Sequence, residues 1–210
     1  WPATADTYRR ILSPDTRDAD ISRPYPFYLA YPLADNVGDL GSVDRWQVEW
    51  KWDGIRGQVI KRSHQVFIWS RGEDLVSDKY PELADAAARL PDGTVLDGEI
   101  LPWKDGRPLP FSQLQRRIGR KTVGKKLLGE VPTAFLTYDV LEFGGKDQRQ
   151  KTLSQRRNIL TQVLSSLPGN RIIPSPSVAA DTWQDLEILH KNSRRRGVEG
   201  FMLKRSDSIY

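Results

Sequence analysis

Glu49, Lys51, Asp53, Gly54 and Arg56 lie close together in the run Trp46-Gln-Val-Glu-Trp-Lys-Trp-Asp-Gly-Ile-Arg56. A lysine amine is a nucleophile once it has shed its proton, and nearby cations can neutralise charge that develops on a phosphate. At its ordinary pKa of about 10.4 a lysine is neutral only about once in several thousand molecules at pH 7, so this chemistry needs cationic or desolvating surroundings. Arg56 and, further along, Arg71 are the residue types that could supply them.

The element that must present the lysine is a strand. Trp46, Val48, Trp50 and Trp52 alternate with Gln47, Glu49, Lys51 and Asp53, the period that sends successive side chains to opposite faces of a sheet. One face is apolar and the other charged. A charged face ending at the turn-former Gly54 suits the lip of a pocket, and a solvated sheet face is the alternative.

Composition sets the outer bounds. The chain has 210 residues, 38% hydrophobic and 28% charged, enough to bury one large core. It carries no cysteine and two isolated histidines, His64 and His190, which exclude disulfides and leave little for a zinc site, so any metal here is expected to be oxygen-bound. No apolar run approaches membrane-spanning length and no secretory pattern opens the chain, so the expected compartment is the cytoplasm. The net charge of +5 favours a polyanionic partner. Arg116, Arg117, Arg120, Lys121, Lys125 and Lys126 form one basic cluster without an intervening acid, and Arg194, Arg195 and Arg196 form another. For either cluster alone a solvated face is the plain reading.

Prolines interrupt residues 1–35, leaving room for a short helix near residues 8–12 and an extended stretch over 25–33 laid against the domain. Two strands joined by a turn near 62–64 are expected next, then a helix over 77–90 with Leu83, Ala87 and Leu90 on its buried stripe. The strand expected over 94–103 places Asp97 and Glu99 on one face with Val95 and Leu101. Acids there are costly to bury unless something positive or hydrogen-bonding meets them, which points to a pocket. A partly helical stretch over 111–128, a strand over 131–143, helices over 152–167 and 181–196, and a strand over 198–204 complete the pattern. Thr152 and Gln155 are set as a capping box for the first of those two helices. The class expected is α+β with antiparallel sheets flanked by helices.

In order, Lys51-Trp-Asp-Gly-Ile-Arg56, Ser70-Arg-Gly72, Asp97-Gly-Glu99, Tyr138-Asp139 and Glu199-Gly-Phe-Met-Leu-Lys204 resemble the successive motifs of the adenylation domain of ATP-dependent DNA ligases. The likeness covers roughly residues 24–210. It is most marked toward the larger bacterial enzymes, which share the runs Leu114-Gln-Arg-Arg-Ile-Gly-Arg-Lys121 and Arg196-Gly-Val-Glu-Gly200. The resemblance implies a nucleotidyltransferase fold, ATP-grasp-like, and a covalent lysyl-AMP formed at Lys51 for sealing nicks in duplex DNA.

It further implies that Glu49 contacts the adenine amino group and that Arg56 and Arg71 hold the ribose and phosphates, later the 5′-phosphate of the nick. Glu99 would bind the ribose or Mg2+, Tyr138 would stack on adenine, Glu199 would help place the metal, and Lys204 would join the nucleotide site. Arg116, Arg117, Arg120 and Lys121 would hold the DNA backbone, so that alanine at Arg116 and Arg117 should weaken binding and flatten its salt dependence.

Residues 1–23 would then be a connector from an upstream DNA-binding domain. Residues 24–210 would be an adenylation domain lacking the family's last lysine motif and its OB-fold domain, and therefore slow or inert by itself. The whole is expected to be a monomer at the bacterial nucleoid, acting in repair. Two rivals remain open: an RNA ligase or capping-type enzyme sharing the lysine motif, separable by ATP against GTP and nicked DNA against RNA ends, and a non-catalytic DNA-binding module. Singly, each residue also has a duller role: Lys51 as an edge-strand solubility lysine, Tyr138 as a core aromatic, Glu99 as partner to a structural arginine.

Overall fold

Alternating β-branched, aromatic and polar side chains lay down the strands on which the rest of the chain is built. The computed structural model describes residues 21–34, 36–120 and 122–210. The helix expected near residues 8–12, most of the connector and Lys121 lie outside the described residues. Residues 23–34 run without regular structure, and Tyr25 is laid on the domain as expected. Its N–H donates to Gln58 Oε1 at 2.9 Å and its carbonyl accepts from Gln58 Nε2 at 2.8 Å.

Strand β1 (Trp46–Trp52) is followed by β2 (Ile55–Arg62) and β3 (Gln65–Ser70), with Ser63 and His64 taking positive φ in the turn between the latter two. Helix α1 (Pro81–Ala87) is shorter than the helix expected over 77–90. Pro81 pushes Tyr80 out of helical geometry (φ −132°, ψ 56°), so Ser77–Lys79 forms a separate 3-10 turn. The stripe survives, since Leu83, Ala87 and Leu90 are all buried.

Then come β4 (Thr94–Lys104), β5 (Arg107–Pro108), α2 (Phe111–Ile118), α3 (Lys125–Glu130), β6 (Thr133–Phe143) and β7 (Lys146–Asp147). Helix α4 (Leu153–Ser165) starts at the expected capping box of Thr152 and Gln155, a device worth about 1 kcal/mol. After β8 (Ile172–Pro174), α5 (Trp183–His190) ends well short of residue 196. The side chains of Asn192 and Ser193 donate to the carbonyls of Ile188 and His190, competing with the helix ladder. A 3-10 turn over Arg194–Arg196 and left-handed Gly197 (φ 70°) then lead into β9 (Val198–Arg205).

The main sheet has the order β3-β2-β4-β6-β7, with β5 on β4 and β8 on β6. All its pairings are antiparallel except β6 with β8, which is parallel. The pair β1-β9 forms a second, antiparallel sheet. One face of the main sheet is dry: Val59, Ile68, Leu96, Ile100, Phe135 and Val140 pack against Leu83 of α1, Leu114 of α2, and Leu160 and Val163 of α4. The opposite face holds two small apolar clusters, one around Ile60, Val95 and Leu141, the other around Leu101, Ala134 and Leu136. Asp97 and Glu99 lie between them, on the face shared with Val95 and Leu101 as expected.

The two sheets are tied together near their joining edge. Val178 N–H donates to Val48 O at 2.8 Å, and Trp52 Nε1 donates to Ser175 Oγ at 3.2 Å. Gly54 sits where the chain passes from one sheet to the other. A Cβ there would lie 2.5 Å from Ile100 O and 2.8 Å from Glu99 Cγ, so only glycine fits.

Candidate active site

Strand β1 presents Gln47, Glu49 and Lys51 on one face, and β9 places Lys204 opposite Gln47, Met202 opposite Glu49 and Gly200 opposite Lys51. The register slips between Lys51 and Trp52, and Gly200 takes φ 149°. At this irregularity Glu199 is brought onto Lys51, whose Nζ pairs with its carboxylate. Both side chains remain about half exposed, at 47% and 46%, so the amine stands at an open lip.

Glu49 is wholly buried, so the charged face of β1 runs from an enclosed carboxylate to the half-exposed amine of Lys51. Its Oε1 accepts from Lys204 Nζ at 3.0 Å and from Gln47 Nε2, while its Oε2 is buried without a hydrogen-bond partner. The Lys204 ammonium lies 4.7 Å from the centre of the Tyr138 ring. Tyr138 OH donates to Glu99 Oε2 at 3.1 Å. Burial first, and then the adjacent Glu99 carboxylate, raises the Tyr138 pKa and keeps the phenol protonated as that donor.

Glu99 is itself nearly buried, and burial pushes its pKa up to about 7, helped by Asp97. Tyr138, Arg56 and Lys51 pull the other way. A carboxylate whose charge burial penalises this far gains from a further cation beside it. Among the described residues no group of three or more His, Cys, Asp or Glu side chains could hold a metal. Glu99 and Glu199 are carboxylates that a magnesium ion could take, since it needs only one or two and completes its shell with water and substrate phosphates.

Arg56 is committed to Asp97, through Nε at 3.3 Å and Nη2 at 2.8 Å, and to the Tyr28 carbonyl through Nη1. Tyr210 OH also donates to Asp97, at 3.1 Å. Arg71 is exposed, and its backbone N–H donates to Arg56 O at 2.9 Å, which places the two arginines side by side at the ends of β2 and β3. Asp139 lies across from Asp97 in the β4-β6 register and takes Arg156 in a two-point pair at 2.8 and 2.9 Å.

Glu49, Lys51, Arg56, Glu99, Tyr138, Glu199 and Lys204 thus form one linked set of side chains, while Arg71 joins them only through its backbone bond to Arg56. The basic helix does not behave as expected throughout. Arg117 is fully buried: it pairs with Glu82 at 2.5 and 3.1 Å, donates to Lys79 O and Val131 O, and stands 4.9 Å from the Tyr80 ring. It is a core residue and cannot touch DNA. The helical period explains this, since one flank of α2 must face the sheet and Arg117 lies one turn from buried Leu114. Arg116 and Arg120 are exposed, Arg116 beside Glu130, and line a shallow basic depression with Gly124, Lys126 and Leu127.

Sequence reading missed Gln47 and the role of Asp97 as anchor for Arg56. Gln47 was findable, because period two puts it on the face of Glu49 and Lys51.

The family described as ATP dependent DNA ligase domain matches residues 33–210. A probable DNA ligase of Koribacter versatilis is 32% identical over 208 residues, covering 89% of this chain and 36% of its own length. The chain therefore spans about a third of that relative. Among solved structures, the ligase domain of LigD from M. tuberculosis is similar with TM-score 0.62 at 27% identity, covering 80% of this chain and 51% of that one. Mycobacterial DNA ligase D complexed with ATP is similar with TM-score 0.60 at 28% identity, over the same shares of the two chains.

Proposed function

The chain belongs to the ATP-dependent DNA ligase domain family, and from that premise we propose that Lys51 accepts AMP from ATP as a phosphoramidate on the way to sealing nicks in duplex DNA. The observation that carries this reading is a linked chain of side chains from strands far apart in sequence. Lys51 pairs with Glu199 and lies within electrostatic reach of Glu99, whose neighbours are Arg56 and Tyr138, and Tyr138 leads on through Lys204 to Glu49. A solubility lysine on an edge strand needs no such surroundings. The ATP held by a similar mycobacterial ligase supports the choice of nucleotide.

In this reading the unpartnered, buried oxygen of Glu49 receives the adenine amino group and the ring of Tyr138 carries the base, with Lys204 moving off the ring as the base enters. Glu99 meets the ribose or the metal. Lys51 leaves Glu199 and gives a proton to water, its lone pair attacks the α-phosphorus, and the nitrogen sheds a second proton to water as the phosphoramidate forms. The bond to the bridging oxygen breaks, and pyrophosphate leaves with the electron pair. A magnesium ion held through Glu99 and Glu199 would neutralise charge on the phosphates. Arg71, exposed beside Arg56, would hold the ribose and phosphate region and then the 5′-phosphate of the nick. Asp97 fixes Arg56, so Arg56 acts with little reorganisation.

Arg116, Arg120 and Lys121, with Arg194, Arg195 and Arg196, would hold the DNA backbone, which positions a duplex without reading its sequence. Partner domains of a longer enzyme would complete the grip. The test is to incubate the full-length protein with α-labelled ATP and magnesium. The label should become covalent in the native protein and be absent from Lys51→Ala, and equal labelling of both would remove Lys51 as nucleophile.

A further inference from the structure

We propose that Gln47 is a positioning residue for purine selection: it occupies one oxygen of Glu49 so that the other stays open for an exocyclic amine. This rests on the reading of Glu49 as the base contact.

Gln47 and Glu49 share a face of β1, and Lys204 stands across from Gln47 on β9. Gln47 Nε2 and Lys204 Nζ both donate to Glu49 Oε1. That oxygen has then used both of its lone pairs. Glu49 Oε2 is buried with no donor, a costly condition that an incoming N–H relieves. The 6-amino group of adenine supplies such a donor. The 6-oxo group of guanine would set lone pairs against lone pairs, so the asymmetry of donors on Glu49 selects one purine over the other.

The amide orientation follows from the same chemistry, because its oxygen turned toward the carboxylate would repel it. Met202, opposite Glu49 on β9, brings no side-chain N–H that could replace Gln47. Without Gln47 the carboxylate is free to turn about its last bond, and the Lys204 ammonium can take both oxygens. The acceptor meant for the base is then lost.

The experiment measures calorimetric binding of ATP and of purine-riboside triphosphate, which lacks the amino group, to the full-length protein and to Gln47→Leu and Gln47→Met, without divalent metal so that no transfer occurs. The native protein should prefer ATP. Both variants should weaken ATP binding about tenfold, the worth of a hydrogen bond to a charged group, while purine-riboside triphosphate stays within about twofold. Equal losses for both nucleotides would show that Gln47 merely supports the strand, and unchanged ATP binding would show that it does nothing for the base. Either result overturns the proposal. A native protein that binds the two nucleotides equally would instead remove Glu49 as the base contact, and the proposal with it.

Discussion

Arg117→Ala should cripple the fold rather than DNA binding. The side chain is wholly enclosed and makes a two-point pair with Glu82, whose own side chain is 19% exposed. Its removal leaves the Glu82 carboxylate leaning on the Thr133 hydroxyl, strands the carbonyls of Lys79 and Val131, and opens a void against Tyr80. Breaking a buried ion pair from one side costs about 3–5 kcal/mol, a large part of the stability of any domain. In a chain of this size that corresponds to a melting temperature lower by roughly 10 °C.

The loss should depend on pH in a defined direction. Burial works to raise the Glu82 pKa, but hydrogen bonds from Arg117 and Thr133 outweigh it and hold it below its ordinary 4.5. A group depressed by folding contributes stability above its unfolded pKa and loses it as pH falls through the folded one. Urea titrations of native and variant protein should thus differ fully at pH 7 and draw closer as the pH falls below 4.5, leaving the pH-independent cost of the void and the stranded carbonyls. A second substitution, Glu82→Leu, should recover part of the loss, because no unpaired carboxylate remains. A variant within about 0.5 kcal/mol of native at pH 7, yet weak on DNA, would refute the reasoning.

Glu99→Gln should stabilise the nucleotide-free protein above pH 7. Folding raises the Glu99 pKa from 4.5 to about 7, so ionised Glu99 costs about 3 kcal/mol above that pH and nothing below 4.5. A difference in melting temperature that ignores pH would contradict this. Gly54→Ala should destabilise the lip and lower nucleotide binding together, since the added Cβ meets backbone 2.5 Å away. Unchanged melting and binding would show that the passage between the sheets has slack. Alanine at both Arg116 and Arg120 should leave stability near native and make the log–log salt dependence of nicked-DNA binding shallower by about 1 for each phosphate no longer neutralised. An unchanged slope would clear the α2 surface of that role.

The strands were largely legible because their signal is local. The alternation in β1 needs no knowledge of its partner, and the ordered motifs pointed to which residues gather around Lys51. What the sequence concealed was pairing at a distance. Six basic residues over 116–126 look alike as a string, but α2 buries one flank, and whether Arg117 meets water depends on Glu82, 35 positions earlier. Helix ends were blurred for a similar reason. Pro81 and the side chains of Asn192 and Ser193 rewrite the local ladder, and a stripe of apolar residues carries no record of that. The commitment of Arg56 to Asp97 likewise needed the β2-β4 register, which sets Arg56 against Glu99 and Gln58 against Asp97.

The most direct check is to map where AMP resides on the full-length protein after incubation with ATP and magnesium, by mass spectrometry of its peptides under conditions that spare phosphoramidates. The adenylate should lie on the peptide containing Lys51, at that side chain and nowhere else. An adenylate on another residue, or a fully active protein in which Lys51 never carries one, would contradict the account.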